Sequence, residues 1–234
     1  MSFNFTALFF AALAFGSTAH GHETPCDAIQ VAVSTTPVIE QSPGKLKAAI
    51  EAGIANAPDV DVMVAGDSLA AGWQEFADRD LPGRRAHWFG VRGERTQEFL
   101  WRLQHHSPDI SPRHIILIIG TNNLSDRTAT ACGIAAGIFA AVASIEDRWP
   151  TAAVTLVPIL PRGNGYAFRK NDRAFINAAL RRRFIDHTPV RVLDLDEHVL
   201  TCGGKMTGCR NYVKDNLHLS GEGYRFLASS VPKL

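Results

Sequence analysis

Apolar residues along the chain follow two alternating patterns. Short stretches that are apolar at nearly every position, such as Val62-Met63-Val64-Ala65, are interleaved with longer segments in which apolar residues recur every three or four positions. The short stretches predict strands at 60–65, 87–91, 115–120, 153–159 and 190–195. Between them, the segment 128–149 places Ile134, Ile138, Val142, Ile145 and Trp149 on one stripe. The segment 168–186 does the same with Ile176, Leu180 and Phe184, so both predict amphipathic helices. Another helix is predicted near 45–56. Buried strands alternating with such helices imply an α/β fold, a parallel sheet covered on both faces.

With 234 residues, 46% of them hydrophobic, and no internal repeat, the chain has the material for one good core. The expected organisation is a signal peptide over 1–19, a polar, turn-rich N-terminal extension over 20–43, and one globular domain over 44–234. The leader is read from the apolar run Phe3 to Phe15 and the small residues Gly16-Ser17-Thr18-Ala19 behind it. That run is too short for a stable membrane span, so the expected location is secreted or periplasmic. The 24 Lys and Arg nearly balance 23 Asp and Glu, a net charge of +1, which leaves no electrostatic footprint for nucleic acid.

Four cysteines suit an exported chain, in which even counts usually mean bridges. Three pairings are open. Cys202 and Cys209 bracket a glycine-rich loop whose closure would stabilise by about 2.5 kcal/mol on the chain-entropy model. Pairing them leaves Cys26 with Cys132. The spacings match no zinc finger or ribbon, and His20 and His22 fall in the extension, so no metal site is expected.

The candidate chemistry lies where predicted strands end. Gly66-Asp67-Ser68-Leu69 follows the first strand, and Gly66 permits a sharp turn that would stand Ser68 at the sheet edge where open α/β folds bind ligands. A serine hydroxyl is a weak nucleophile until a base takes its proton. His218 is the candidate base, and Asp215, three residues earlier, can reach its Nδ1 proton. Two further segments supply hydrogen-bond donors: Gly93, after the second strand, and Asn122 in Gly120-Thr121-Asn122-Asn123, after the third. Together with the Ser68 N–H they would form a three-donor oxyanion hole. Trp73, Arg92, Glu94 and Arg162 are candidates for the substrate pocket.

These motifs resemble the SGNH (GDSL) hydrolases, whose Ser, Gly, Asn and His correspond to Ser68, Gly93, Asn122 and His218, with Asp215 as the triad acid. Within that family the chain is most similar to the catalytic subunits of intracellular platelet-activating-factor acetylhydrolases. The shared pattern includes Leu100-Trp101-Arg102-Leu103, Leu160-Pro161-Arg162-Gly163 and Leu217-His218-Leu219. The resemblance implies a flavodoxin-like three-layer α/β/α fold with a five-stranded parallel sheet and catalytic loops at the strand C-termini. It also implies a homodimer, which the residues themselves do not address. That subfamily carries glycine where Arg92 stands and aspartate where Glu94 stands, so the loop around Gly93 is bulkier here.

The resulting expectation is a serine esterase that removes short, acetyl-type acyl groups from a small-molecule or glycan-linked ester through an acyl-enzyme, without a cofactor. The same chemistry serves a polysaccharide or cell-wall O-deacetylase, a lysophospholipase, a thioesterase or an acyltransferase. From another class, the chain could be a binding or assembly protein on a hydrolase scaffold. Retention of all five chemical positions argues against that.

Overall fold

A computed structural model describes residues 26–39, 42–54 and 59–232. The leader segment 1–19, with His20 and His22, lies outside the described residues. Five strands, β1 (Val62–Gly66), β2 (Ala86–Gly90), β3 (His114–Ile118), β4 (Ala153–Leu156) and β5 (Val190–Val192), form one parallel sheet in the order β2-β1-β3-β4-β5. The helices are α1 (Ala28–Thr35), α2 (Pro43–Ala52), α3 (Ser68–Trp73), α4 (Ala77–Asp80), α5 (Thr96–His106), α6 (Ala131–Arg148), α7 (Lys170–Phe184), α8 (Glu197–Leu200) and α9 (Gly221–Ser230).

The period-two geometry of a strand explains why the strand runs are apolar throughout. Met63 and Ala65 of β1, with Ile115 and Leu117 of β3, face a core completed by Phe99 of α5, Ile134 and Ile138 of α6, and Ile176 and Leu180 of α7. Val62, Val64, Ile116 and Ile118 face the other way, onto Leu69 and Trp73 of α3 and Tyr224 and Leu227 of α9. The sheet is therefore the middle of three layers. Strand order reverses at β1/β3, the topological switch point at which open α/β sheets bind ligands.

Residues 28–35, which the sequence reading assigns to the polar extension, form a docked helix instead. The one buried residue of α1 is Ser34, and Val33 packs partly buried against the core. The helix presses its backbone against α6, where a Cβ on Gly133 would lie 2.1 Å from the Gln30 carbonyl oxygen and one on Gly137 2.6 Å from that of Ser34. The Thr96 hydroxyl donates to the Ser34 carbonyl at 2.8 Å, and the Cys26–Cys132 disulfide ties the start of α1 to the start of α6. Cys202 is bonded to Cys209, so both bridges pair as the sequence reading expects.

Candidate active site

The turn from β1 into α3 is built for one backbone path. Gly66 has φ +130°, and a Cβ there would lie 1.8 Å from the Ile118 carbonyl oxygen, so only glycine fits. Asp67 then caps α3 by accepting the Leu69 N–H at 2.9 Å, which places Ser68 at the first helical position.

The base approaches from the opposite end of the chain. Asn216 adopts a left-handed conformation, φ +53°, which asparagine tolerates better than most residues. That turn lets one Asp215 oxygen accept the Leu217 and His218 N–H groups, each at 2.9 Å. The other Asp215 oxygen accepts the His218 Nδ1 proton at 2.6 Å. A carboxylate can only accept, so the proton sits on Nδ1 and leaves Nε2 to accept the Ser68 hydroxyl at 2.9 Å. Partial burial pushes the Asp215 carboxyl up, but the hydrogen bonds from the His218 ring and from the two backbone N–H groups outweigh it and hold the group below its ordinary range. The fourth strand's loop braces this turn: Gly163 N–H donates to the Asn216 carbonyl and the Tyr212 hydroxyl to that of Pro161, both at 2.8 Å.

Gly93 has φ +78°, and the Asn122 amide donates to the Glu94 carbonyl next to it at 3.0 Å. One N–H of that amide remains for another acceptor. Neighbouring Asn123 faces inward and pins the start of α5, accepting the Thr96 N–H and donating to Thr96 Oγ1 and Gln97 Oε1. Thus Ser68, His218 and Asp215 are linked directly, while Gly93 and Asn122 are joined through the Glu94 carbonyl.

A cavity of about 250 Å³ opens on the serine, lined by Ser68, Gly72, Glu75, Arg92, Val213, His218, Leu219 and Tyr224. Of the four expected pocket residues, only Arg92 lines it. Trp73 is fully buried, stacked 5.9 Å from Tyr224, with its indole N–H donated to Asp80. Glu94 is buried too and accepts from Arg102 Nε and Nη2 at 2.7 and 2.6 Å, under a loop it anchors rather than lines. Arg162 braces two loops through Thr121 and Ser125 and lies over the Phe168 ring at 4.4 Å.

Sequence reasoning missed Gly72, Glu75, Val213, Leu219 and Tyr224 as lining residues. Gly72 was findable, because it stands one helical turn after Ser68. Asp67 was also passed over. Its side chain is wholly buried and one carboxyl oxygen has no hydrogen-bond partner. Burial, reinforced by the Glu94 charge, pushes its pKa up to about 7 against the smaller opposing pulls of the Leu69 N–H and Arg162. Among the described residues, no group of three or more His, Cys, Asp or Glu is placed to hold a metal, and no helix is long and apolar enough to cross a membrane.

The model of the GDSL-like lipase/acylhydrolase family matches residues 64–226. The alpha2 subunit of human platelet-activating factor acetylhydrolase IB is 32% identical over 177 residues, covering 74% of this chain and 75% of that protein. Among solved structures, a member of the lipolytic G-D-S-L family from Veillonella parvula superposes with a TM-score of 0.60 at 16% identity, covering 73% of this chain and 94% of that one. A lipase/acylhydrolase from Enterococcus faecalis gives 0.58 at 18% identity, covering 73% and 92%.

Proposed function

The chain belongs to the GDSL-like lipase/acylhydrolase family, as an ester-hydrolysing serine hydrolase, and on that premise we propose that it removes short acyl groups through an acyl-enzyme on Ser68. The observation that carries this reading is the continuous relay from Ser68 Oγ to His218 Nε2 and from His218 Nδ1 to Asp215, at 2.9 and 2.6 Å. Ser68 Oγ attacks the ester carbonyl carbon as its proton passes to His218 Nε2, and the carbonyl electron pair moves onto oxygen. The Ser68 and Gly93 N–H groups and the free N–H of the Asn122 amide receive that oxyanion. Collapse of the intermediate expels the alcohol, which takes the proton from His218. A water molecule, activated by the same imidazole, then releases the carboxylic acid and restores the serine.

An acetyl-type preference is supported by the small cavity, whose 250 Å³ must hold both the acyl group and the reacting end of the alcohol. Export is supported by the apolar run near the N-terminus and by the two disulfides, which persist in oxidising compartments. The subunit designation of the relatives supports assembly with another chain, and a homodimer is the form the family resemblance implies.

The test is fluorophosphonate labelling together with turnover of short acyl esters. The wild type should be labelled on Ser68, and Ser68→Ala should lose both label and turnover while keeping its melting temperature. Turnover by Ser68→Ala at the wild-type rate would refute the mechanism.

A further inference from the structure

The cavity beside Ser68 carries two charged side chains that the ester chemistry does not use. Glu75, on the turn that follows α3, and Arg92, one residue before Gly93, both line it and are exposed to its mouth. Neither makes a hydrogen bond or ion pair with another described residue, although most acidic and basic groups near this edge are paired, as Glu94 is with Arg102 and Arg95 is with Glu98 and Asp126. Tyr224 lines the same cavity. Burial and then Asp67 dominate the upward shift of its hydroxyl, but Arg92 and Glu75 also act on it, with opposite signs, which places both charges within electrostatic reach of that ring. The Tyr224 hydroxyl is committed to the Leu69 carbonyl at 2.9 Å, so it does not compete for a ligand.

A carboxylate can only accept hydrogen bonds and a guanidinium can only donate them. A cationic alcohol would be drawn to Glu75 and repelled by Arg92, and an anionic one the reverse. An alkyl alcohol would strip water from both charges and return nothing. A neutral group with adjacent hydroxyls answers both at once, since each hydroxyl donates and accepts. Val213, Leu219 and the Tyr224 ring supply an apolar wall for the carbon face of such a group.

From this we infer that Glu75 and Arg92 form a leaving-group subsite that holds the hydroxyls of a carbohydrate, making the substrate an O-acylated sugar. The inference rests on the esterase reading above and deepens it. The Glu75 carboxylate accepts hydrogen bonds from two sugar hydroxyls, and Arg92 donates to a hydroxyl or ring oxygen. Hydrogen bonds to charged groups are strong enough that each residue should alter kcat/KM on such a substrate on the order of tenfold.

The experiment compares kcat/KM for three acetates: a mono-O-acetylated methyl glycoside, ethyl acetate, and the zwitterion acetylcarnitine. The wild type should favour the glycoside over ethyl acetate by about tenfold or more. Glu75→Ala and Arg92→Ala should each cut that ratio by about tenfold, chiefly through KM on the glycoside. Hydrolysis of ethyl acetate with a ratio near one would overturn the subsite and leave the esterase standing. So would a ratio unchanged in both variants, or acetylcarnitine as the best of the three, which would make the pair an ionic clamp. Failure to hydrolyse any of the three would remove the esterase reading and the subsite together.

Discussion

Arg102 of α5 and Glu94 of the glycine loop form a bidentate ion pair, at 2.7 and 2.6 Å, out of contact with solvent beneath Gly93. The guanidinium also lies 3.7 Å from the centre of the Phe89 ring and donates to the Phe89 carbonyl at 3.3 Å. The loop that presents the Gly93 N–H is thereby clamped from below. An oxyanion donor contributes most when it is already in place as charge develops.

Removing one partner of a buried pair strands the other charge, which costs about 3–5 kcal/mol. Arg102→Ala should therefore lose roughly that much stability in denaturant unfolding. Glu94→Leu combined with Arg102→Met should recover most of it, because no charge is left unpaired. Its kcat should stay below wild type, since the clamp on Gly93 is gone. A single Arg102→Ala change costing under about 1 kcal/mol would show the pair to be solvent-relaxed.

Asp67 should make stability depend on pH in the direction opposite to most carboxylates. Its native pKa of about 7 lies above its ordinary value of 3.8, so the folded state binds the proton more tightly than the unfolded chain. Its contribution is fully favourable below the unfolded value, is lost as pH rises through the folded value, and is level above it. Asp215, Asp61 and Asp126 are shifted down and act the other way, at lower pH. The difference between wild type and Asp67→Asn isolates the effect, because the amide oxygen can still accept the Leu69 N–H. Relative to this variant, the wild type should lose stability steadily from about pH 4 to 7. A flat difference across that range would show that Asp67 ionises normally.

Much of this was legible because it is local. The strands are marked by residues buried on both faces, and Ser68, Asp215 and His218 by short motifs that fix a turn or a cap. The failures concern side-chain direction. Trp73 follows Ser68 by five residues, about 140° around a helix, so it turns into the core while Gly72, a full turn on, faces the cavity. Glu94 follows a glycine with positive φ, and the loop reverses to send it inward onto Arg102. Helix α1 escaped because, beside Val33 on the core, it is held by close backbone contact with Gly133 and Gly137 and by a disulfide, which leave no apolar period for a sequence reading to find.

Asn122→Ala tests whether the third proposed donor acts on the transition state. The amide already spends one N–H on the Glu94 carbonyl, which aligns it with the Gly93 loop. Loss of the other should lower kcat by roughly 10²- to 10³-fold with little change in KM, the pattern of an interaction made chiefly with the oxyanion. Steady-state kinetics on a short acyl ester would read this directly. A change confined to KM would make Asn122 a substrate-binding residue.

Acyl length gives the widest separation between alternatives. Each methylene buried in an apolar channel is worth about 0.8 kcal/mol, so a lipase or thioesterase with such a channel should improve steadily from acetyl to octanoyl. The cavity on Ser68 holds about 250 Å³, the liquid volume of roughly eight water molecules, and an octanoyl group alone carries about as many heavy atoms. Charged Glu75 and Arg92 at its mouth offer no apolar continuation. Steric exclusion should therefore outweigh burial, and acetyl and propionyl esters of one alcohol should exceed the octanoyl ester in kcat/KM by at least about tenfold, or 1.4 kcal/mol. The comparison must be made below micelle-forming concentrations, where chain length reports the pocket and not aggregation. A steady rise from acetyl to octanoyl would mean that the cavity opens to admit the chain, and would move the protein to the long-chain acylhydrolases.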